Sequence, residues 1–234
     1  MLKQRGKMVF ALVLAGVVCA AYITSTAYAQ QRRAGESLWA LAGRKIVVDA
    51  GHGEFDPGAS GIRTGVAEQG INLDIAGKLK SLLEEYGAVV VMTREDENAV
   101  ASTKEEDMHT RERIIREAAA DAVLSVHQNR YSDTSVRGPQ VFFFRAGTPA
   151  QRLADCVQRA LNDGLAPAKK RSAQSADYLL LRAGAAPCIT VECAFLSNPD
   201  DEALLQSDAY REKIARCIAQ GVSEFFLQDR SIAV

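Results

Sequence analysis

Paired cysteines, basic excess and histidines are scarce in this chain, and each shortage narrows what it can do. Of five cysteines in 234 residues, none stands in a Cys-x-x-Cys pair. A domain of this size needs no disulfide staples, so Cys156, Cys188, Cys193 and Cys217 read as buried thiols. The formal net charge is −1, and residues 1–29 carry Lys3, Arg5 and Lys7 without an acid, so the remainder stands at −4. Nucleic acid is therefore a poor candidate partner. Only three histidines occur, His52, His109 and His127, which makes their surroundings informative.

With 47% hydrophobic and 24% charged residues, the composition is that of an ordinary globular protein, long enough for one substantial core and short for two. The first residues stand apart. Three basic residues precede an uncharged apolar stretch over 8–23, and Ala27-Tyr28-Ala29 before Gln30 fits a small-x-small cleavage site. Residues 1–29 read as an export segment: a cleaved signal peptide or, since 8–29 is about long enough to cross a bilayer, a retained membrane anchor. Cys19 follows Val17-Val18 and not a small Gly or Ala, which argues against a lipidated N-terminus. Residues 30–43 read as a tether, in which Leu38-Trp39-Ala40-Leu41 should pack on the edge of a domain spanning 44–228.

Within that domain, short β-branched runs alternate with apolar residues at helical spacing. Strands are expected at 45–50, 88–93, 122–128, 140–145, 178–182 and 188–193. Helices are expected at 67–86, where Gly87 ends the first, at roughly 107–120, after Thr148, at 199–205, and from Tyr210 through Phe225. The stretch 94–108 is polar and without periodicity, and reads as a surface excursion. Because the strands are nearly continuous in apolar residues, both faces of the sheet must be covered. The expected fold is a three-layer α/β/α sandwich on a mostly parallel, mixed six-stranded sheet.

Open α/β sheets bind ligands beyond the carboxyl ends of their strands, so polar residues that interrupt apolar runs there carry the information. His52 follows Ile46-Val47-Val48-Asp49-Ala50-Gly51 and precedes Gly53 and the turn-forming Asp56-Pro57-Gly58; alone, it is a loop histidine. Glu68 opens a helix, where a carboxylate also complements the dipole. His127 closes Leu124-Ser125-Val126-His127, as an ordinary hydrogen-bonded histidine would. Glu192 closes Ile189-Thr190-Val191-Glu192, where burial without a partner is expensive. The bland account needs four coincidences, and one explanation covers them all. Two imidazoles and a carboxylate form the ligand set of a hydrolytic zinc site, and a second carboxylate beside it can move a proton. On this reading His52, Glu68 and His127 hold Zn²⁺ and Glu192 is the acid/base. His109 lies in an acidic, polar stretch and reads as a surface residue.

These residues resemble the zinc-dependent N-acetylmuramoyl-L-alanine amidases of the Amidase 3 class. The resemblance is carried by Val48-Asp49-Ala50-Gly51-His52-Gly53 with Asp56-Pro57-Gly58-Ala59, Glu68-Gln69-Gly70-Ile71-Asn72-Leu73, Met92-Thr93-Arg94, Ser125-Val126-His127-Gln128-Asn129, and Val191-Glu192-Cys193-Ala194-Phe195-Leu196-Ser197-Asn198. They run in family order over nearly all of 44–227. The resemblance implies the same zinc ligands, the same catalytic glutamate, and a substrate: the amide joining the lactyl group of muramic acid to L-alanine in peptidoglycan. Glu54 stands where the family commonly has glycine, and Cys193-Ala194 where it tends to have a small residue before Phe195; neither touches a proposed ligand.

Strand four leads quickly into the helix after Thr148, which leaves little room for a long insertion with a blocking helix, and wall-binding repeats are absent. This layout, with Ser102-Thr103-Lys104-Glu105-Glu106-Asp107 before the second helix, looks most like the CwlD amidases of spore-forming bacteria. That resemblance implies a role in the spore cortex, in muramic-δ-lactam formation and germination, at the forespore, and admits a protein activator such as a lipoprotein. Three rivals remain open: a zinc carboxypeptidase using Arg94 or Arg182 for a free carboxylate, a vegetative cell-separation autolysin of the same family, and a catalytically dead wall-binding module. A chain beginning at Gln31 should fold and stay soluble, because residues 1–30 supply no core in this reading. Aggregation cured only by restoring them would contradict the boundary.

Overall fold

The computed structural model describes residues 40–232, with side chains described through 228. The export segment and most of the tether lie outside the described residues. The strands β1 Lys45–Ala50, β2 Val89–Met92, β3 Ala122–Asn129, β4 Gln140–Phe143, β5 Gln174–Ser175 and β6 Cys188–Phe195 form one sheet in the order β2-β1-β3-β6-β4-β5. β2, β1, β3 and β6 run parallel; β4 is antiparallel to β6, and β5 parallel to β4. The helices are α1 Glu68–Glu85, α2 Lys104–Ala118, α3 Pro149–Leu165, α4 Pro199–Leu205 and α5 Asp208–Ile232. Among the described residues, no helix is long and apolar enough to cross a membrane.

Alternation along each strand divides the core in two. Ile46, Val48 and Ala50 of β1, Leu124 and Val126 of β3, and Ile189 and Val191 of β6 pack with α1, α3 and α5 in the larger cluster. Val47, Val123 and Cys188 point the other way, onto Ile115 of α2 and onto Leu180 and Leu181. The thicker layer takes in Ala40 and Leu41 too, both fully buried, so the core begins ahead of β1. The sandwich expected from the strand pattern is the fold observed. Cys156, Cys188, Cys193 and Cys217 are free and buried, as read.

Two expected elements differ. Residues 178–182 form no strand: Leu180–Arg182 is a 3-10 turn, and the fifth strand is the two-residue β5 pairing with Phe142 and Phe143. A short apolar run such as Tyr178-Leu179-Leu180-Leu181 satisfies a buried turn as well as a strand, and here its leucines close the α2-side core. The second helix begins at Lys104 and not near 107, because Thr103 accepts a hydrogen bond from the Glu106 N–H and three acids occupy the first turn.

β2 lies on one side of β1 and β3 on the other, so the sheet has its switch point between β1 and β3. Asp49, fully buried on the α2 side of β1, fastens this point. It accepts hydrogen bonds from Thr93 Oγ1 at 2.7 Å, Arg111 Nη1 at 2.7 Å and Ser125 Oγ at 2.5 Å. Burial pushes the Asp49 carboxyl up, but Arg111, His127, Ser125 and Thr93 override it and hold it below its usual range. Arg111, 1% exposed, also donates to Asp107 Oδ2, Ala50 O and His52 O at 2.6, 2.8 and 2.6 Å. Removing one partner of a buried pair strands the other charge, so Arg111→Ala should lower stability to urea by about 3–5 kcal/mol. Arg113→Ala, on the exposed face of the same helix, should stay within about 0.5 kcal/mol of wild type. Equal effects of the two changes would show that the pair does not fasten the fold.

Candidate metal centre

His52 leaves the end of β1 at the switch point with its backbone in the left-handed region, at φ 64°, and Glu54 follows at φ 28°. Such a conformation costs a residue with a Cβ about 1–2 kcal/mol, so neighbouring groups must hold it. They do so through the carbonyls. Arg111 takes the oxygens of Ala50 and His52; Arg94 takes those of Ala50, Gly51 and Gln69 at 2.8, 3.0 and 2.8 Å; Asn72 adds a bond to Gly51 O at 3.2 Å. Three consecutive carbonyls are thus fixed, and the imidazole with them.

Glu68 Oε1 lies 3.3 Å from His52 Nε2 and 3.1 Å from His127 Nδ1. One ligand atom from each of the three residues lies within 4.8 Å of the others. Glu68 opens α1, yet its partners are Ala59 N to Oε2 at 2.8 Å, and Gln128 N and Asn72 Nδ2 to Oε1, each at 3.0 Å. No backbone N–H of α1 is among them, so a capping role does not describe it. The other nitrogen of His52, Nδ1, meets Asp56 Oδ2 at 3.0 Å, and Lys104 Nζ lies 3.1 Å from that same oxygen. A carboxylate on the far side of a ligating imidazole fixes its tautomer and orientation.

Two glycines make the convergence possible. A Cβ at Gly51 would sit 2.2 Å from His127 Cε1, and one at Gly58, where φ is +71°, would sit 2.6 Å from Glu68 Oε2 and 2.7 Å from His52 Cδ2. Backbone therefore packs directly against all three side chains.

The electrostatics suit a cation. Burial disfavours charge on the His127 ring, but Glu68, Glu192 and Asp49 outweigh it and raise its pKa to about 9. His52 is raised for a similar reason, with Glu68 overcoming burial, and Glu68 itself is pulled well below the usual carboxylate range by the two rings against its burial. An ionised carboxylate between two imidazoles calls for positive charge where the three atoms meet. The donor set, two nitrogens and an oxygen, is one that zinc accepts.

Glu192 stands opposite His127 in the β3–β6 ladder, and just beyond it, before Phe195 pairs with Asn129, β6 carries one residue more than β3, a bulge that bends β6 there. Its Oε2 is buried with no hydrogen-bond partner among the described residues. Burial, together with the charge of Glu68, pushes the Glu192 carboxyl up to about 7 against the pull of His127 and His52. A carboxyl poised near neutrality can both take and return a proton. A cavity of about 440 Å³ opens onto His52, His127 and Glu192 from the α2 side, with Phe55, Tyr178 and Leu180 on its wall.

The four residues singled out in the sequence therefore meet, and His109, with a 63% exposed side chain beside Glu112, lies apart. Sequence reasoning missed Asp49, Asp56, Asn72 and Arg111. A charged residue inside the apolar run Val47-Val48-Asp49-Ala50 was one available signal, and the spacings Glu68-to-Asn72 and Asp107-to-Arg111, one helical turn each, were another. Of the carboxypeptidase alternative's two candidates, Arg94 is committed to backbone carbonyls, while Arg182 is not itself on the cavity wall and is paired at 3.2 Å with Asp177, which is.

Comparison with known proteins agrees with this geometry. A family model described as N-acetylmuramoyl-L-alanine amidase matches residues 46–224. The germination-specific N-acetylmuramoyl-L-alanine amidase of Bacillus subtilis is 29% identical over 196 residues, which cover 80% of this chain and 82% of that protein. N-acetylmuramoyl-L-alanine amidase LytC of the same organism is 29% identical over 189 residues, 80% of this chain but 36% of that longer protein. Among solved structures, the CwlD amidase from Clostridioides difficile in complex with the GerS lipoprotein is similar at a TM-score of 0.77 and 31% identity, over 80% of this chain and 100% of that one.

A methyl group at position 51 has no room unless the His127 ring swings away. Gly51→Ala should therefore keep the far-ultraviolet spectrum and lower divalent-metal affinity by about 10–100-fold, the usual cost of disturbing a ligand's support. Unchanged affinity in a metal titration would show that the close approach of Gly51 to His127 does not matter.

Proposed function

The chain belongs to the N-acetylmuramoyl-L-alanine amidase family, and we propose that it works with zinc held by His52 Nε2, Glu68 Oε1 and His127 Nδ1 and with Glu192 as the acid/base. The bond cut is the amide between the lactyl group of muramic acid and L-alanine in peptidoglycan. The observation that carries this reading is the unpartnered Glu192 Oε2, buried beside three converging ligand atoms. Zinc, when bound, polarises a carbonyl and lowers the pKa of water to about 7.

The chain's own groups do the rest. Glu192 Oε2 receives a proton from the attacking water and returns it to the departing alanine nitrogen, as the C–O bond forms and the C–N bond breaks. Asp56 engages His52 Nδ1 and leaves Nε2 directed at the centre. Asn72 and the amides of Ala59 and Gln128 orient the Glu68 oxygens. The germination-specific relative and the CwlD neighbour support a role in spore-cortex maturation, with muramic-δ-lactam formation, and in germination. The neighbour's complex with a lipoprotein supports a protein activator of that kind. Residues 1–29 would carry the enzyme across the cytoplasmic membrane, as signal or anchor, to act outside it at the forespore cortex.

Glu192→Gln should keep its zinc and lose the chemistry, because an amide preserves shape but cannot accept the proton. Turnover on peptidoglycan should fall by at least about 10²-fold, the lower range for a general acid/base. Glu68→Gln should instead lose zinc occupancy, with activity falling in proportion. Zinc analysis separates the two before any kinetics, and the opposite pattern would exchange the roles.

A further inference from the structure

Beside the loop that enters α1 lies a second hollow of about 690 Å³, separate from the catalytic cavity, with Ser60, Ile62, Arg130, Tyr131, Thr134 and Ser197 on its wall. Its charge is unlike that of the first. Among the described residues no acid lines it, and Arg130 is its one ionised group. The Arg130 backbone N–H bonds Asn129 Oδ1, while its guanidinium has no ion pair or hydrogen bond among the described residues. The catalytic cavity, by contrast, mixes the two signs, with Asp56, Asp107, Asp177 and Glu192 on its wall beside Lys104 and Arg111.

The hollow is built and held from behind. Tyr131 N donates to Ser197 Oγ at 3.0 Å, Asn198 Nδ2 to Thr134 O at 2.7 Å, and Ile62 N to Leu196 O at 3.1 Å. Glu202, 1% exposed, accepts from the N–H groups of Arg63 and Thr64 at 2.7 and 2.8 Å, which fixes the loop carrying Ile62. On that fixed wall, Ile62 and Tyr131 stand 53% and 57% exposed. Large apolar groups presented to water by a rigid wall, with one unpaired cation between hydroxyls, suit a peptide that carries a carboxylate.

We propose that this hollow receives the stem peptide, and that Arg130 binds the free α-carboxylate of the residue after L-alanine. This rests on the amidase reading. With the lactyl amide at the metal centre, the next residue of a peptidoglycan stem is a γ-linked D-glutamate, whose α-carboxylate stays free unless the wall has been amidated. Two residues of extended peptide reach about 7 Å from the cut bond, and Arg130 stands three residues, at most about 10 Å, beyond His127. These two reaches differ by about 3 Å, less than the length of an extended arginine side chain. Wall material carrying an α-carboxamide at this position would bind less well, so Arg130 makes the enzyme a reader of that modification.

The test compares two soluble muramyl tripeptides that differ only in an α-carboxylate or an α-carboxamide on the second residue. Calorimetric binding to the zinc-loaded full chain carrying Glu192→Gln reads affinity without turnover. The carboxylate form should bind roughly tenfold more tightly, the scale of one charge-assisted contact. Adding Arg130→Ala should bring the two forms to within about twofold of each other. Arg130→Lys should retain part of the preference, and Arg130→Glu should reverse it. Equal binding of the two forms, a preference that survives Arg130→Ala, or binding of neither form would overturn the proposal. Release of free stem peptide from sacculi by the unaltered chain tests the amidase reading separately, so failure of either one is told from failure of the other.

Discussion

A carboxylate and a guanidinium, both removed from water, meet at 2.7 Å between β1 and α2, and the geometry of the candidate metal centre follows from how their other hydrogen bonds are spent. Buried ion pairs are weak sources of net stability, since the desolvation they cost is comparable with the attraction they gain. An apolar pair could fill the same space. It would leave the carbonyls of Ala50 and His52 without the donors of Arg111, and the left-handed backbone of His52 without one of its two fixed ends. The pair is therefore better understood as fixing a conformation than as strengthening a fold.

From that fixed point the site grows outward along the sheet. Asp49 and Ser125 are register partners, as are Ser125 and Thr190, so one polar row crosses β1, β3 and β6 on the α2 side. His127 and Glu192 stand opposite each other two residues further along, toward the carboxyl ends of the strands, and both rows face the cavity. Glu68 comes from α1, and it reaches the two rings because Gly51 and Gly58 leave backbone where side chains would otherwise be. In the first row Asp49 and Ser125 are satisfied by hydrogen bonds to each other and, for Asp49, to Thr93 and Arg111. The second retains an unpartnered oxygen, and that difference separates scaffold from chemistry.

Much of this was legible in the sequence, and the reasons for what was not are specific. Strand-end polar residues are visible because they break apolar runs, so His52, His127 and Glu192 could be found by pattern, and Glu68 by its place at a helix start. Thr103 and Glu106 form a capping pair that marks the start of α2, and setting the helix near 107 overlooked it. The run 178–182 carries no information that distinguishes strand from buried turn; only the α2-side core it completes decides the matter. For Arg111 and Arg94 the difficulty is deeper: the Asp107-to-Arg111 spacing hints at an ion pair, but not at the carbonyls that both arginines hold. A buried arginine looks like a surface one until its acceptors are known, and here most acceptors are backbone carbonyls, which every sequence has in equal supply.

Zinc in the proposed site is held by two imidazole nitrogens and one carboxylate oxygen, with no sulfur, although Cys193 is next in sequence to Glu192. X-ray absorption at the zinc edge on the loaded full chain tests this most directly. The first shell should hold nitrogen and oxygen only, at about 2.0–2.2 Å, with the outer-shell scattering of two imidazoles. A sulfur contribution near 2.3 Å, or a shell with one imidazole or none, would contradict it.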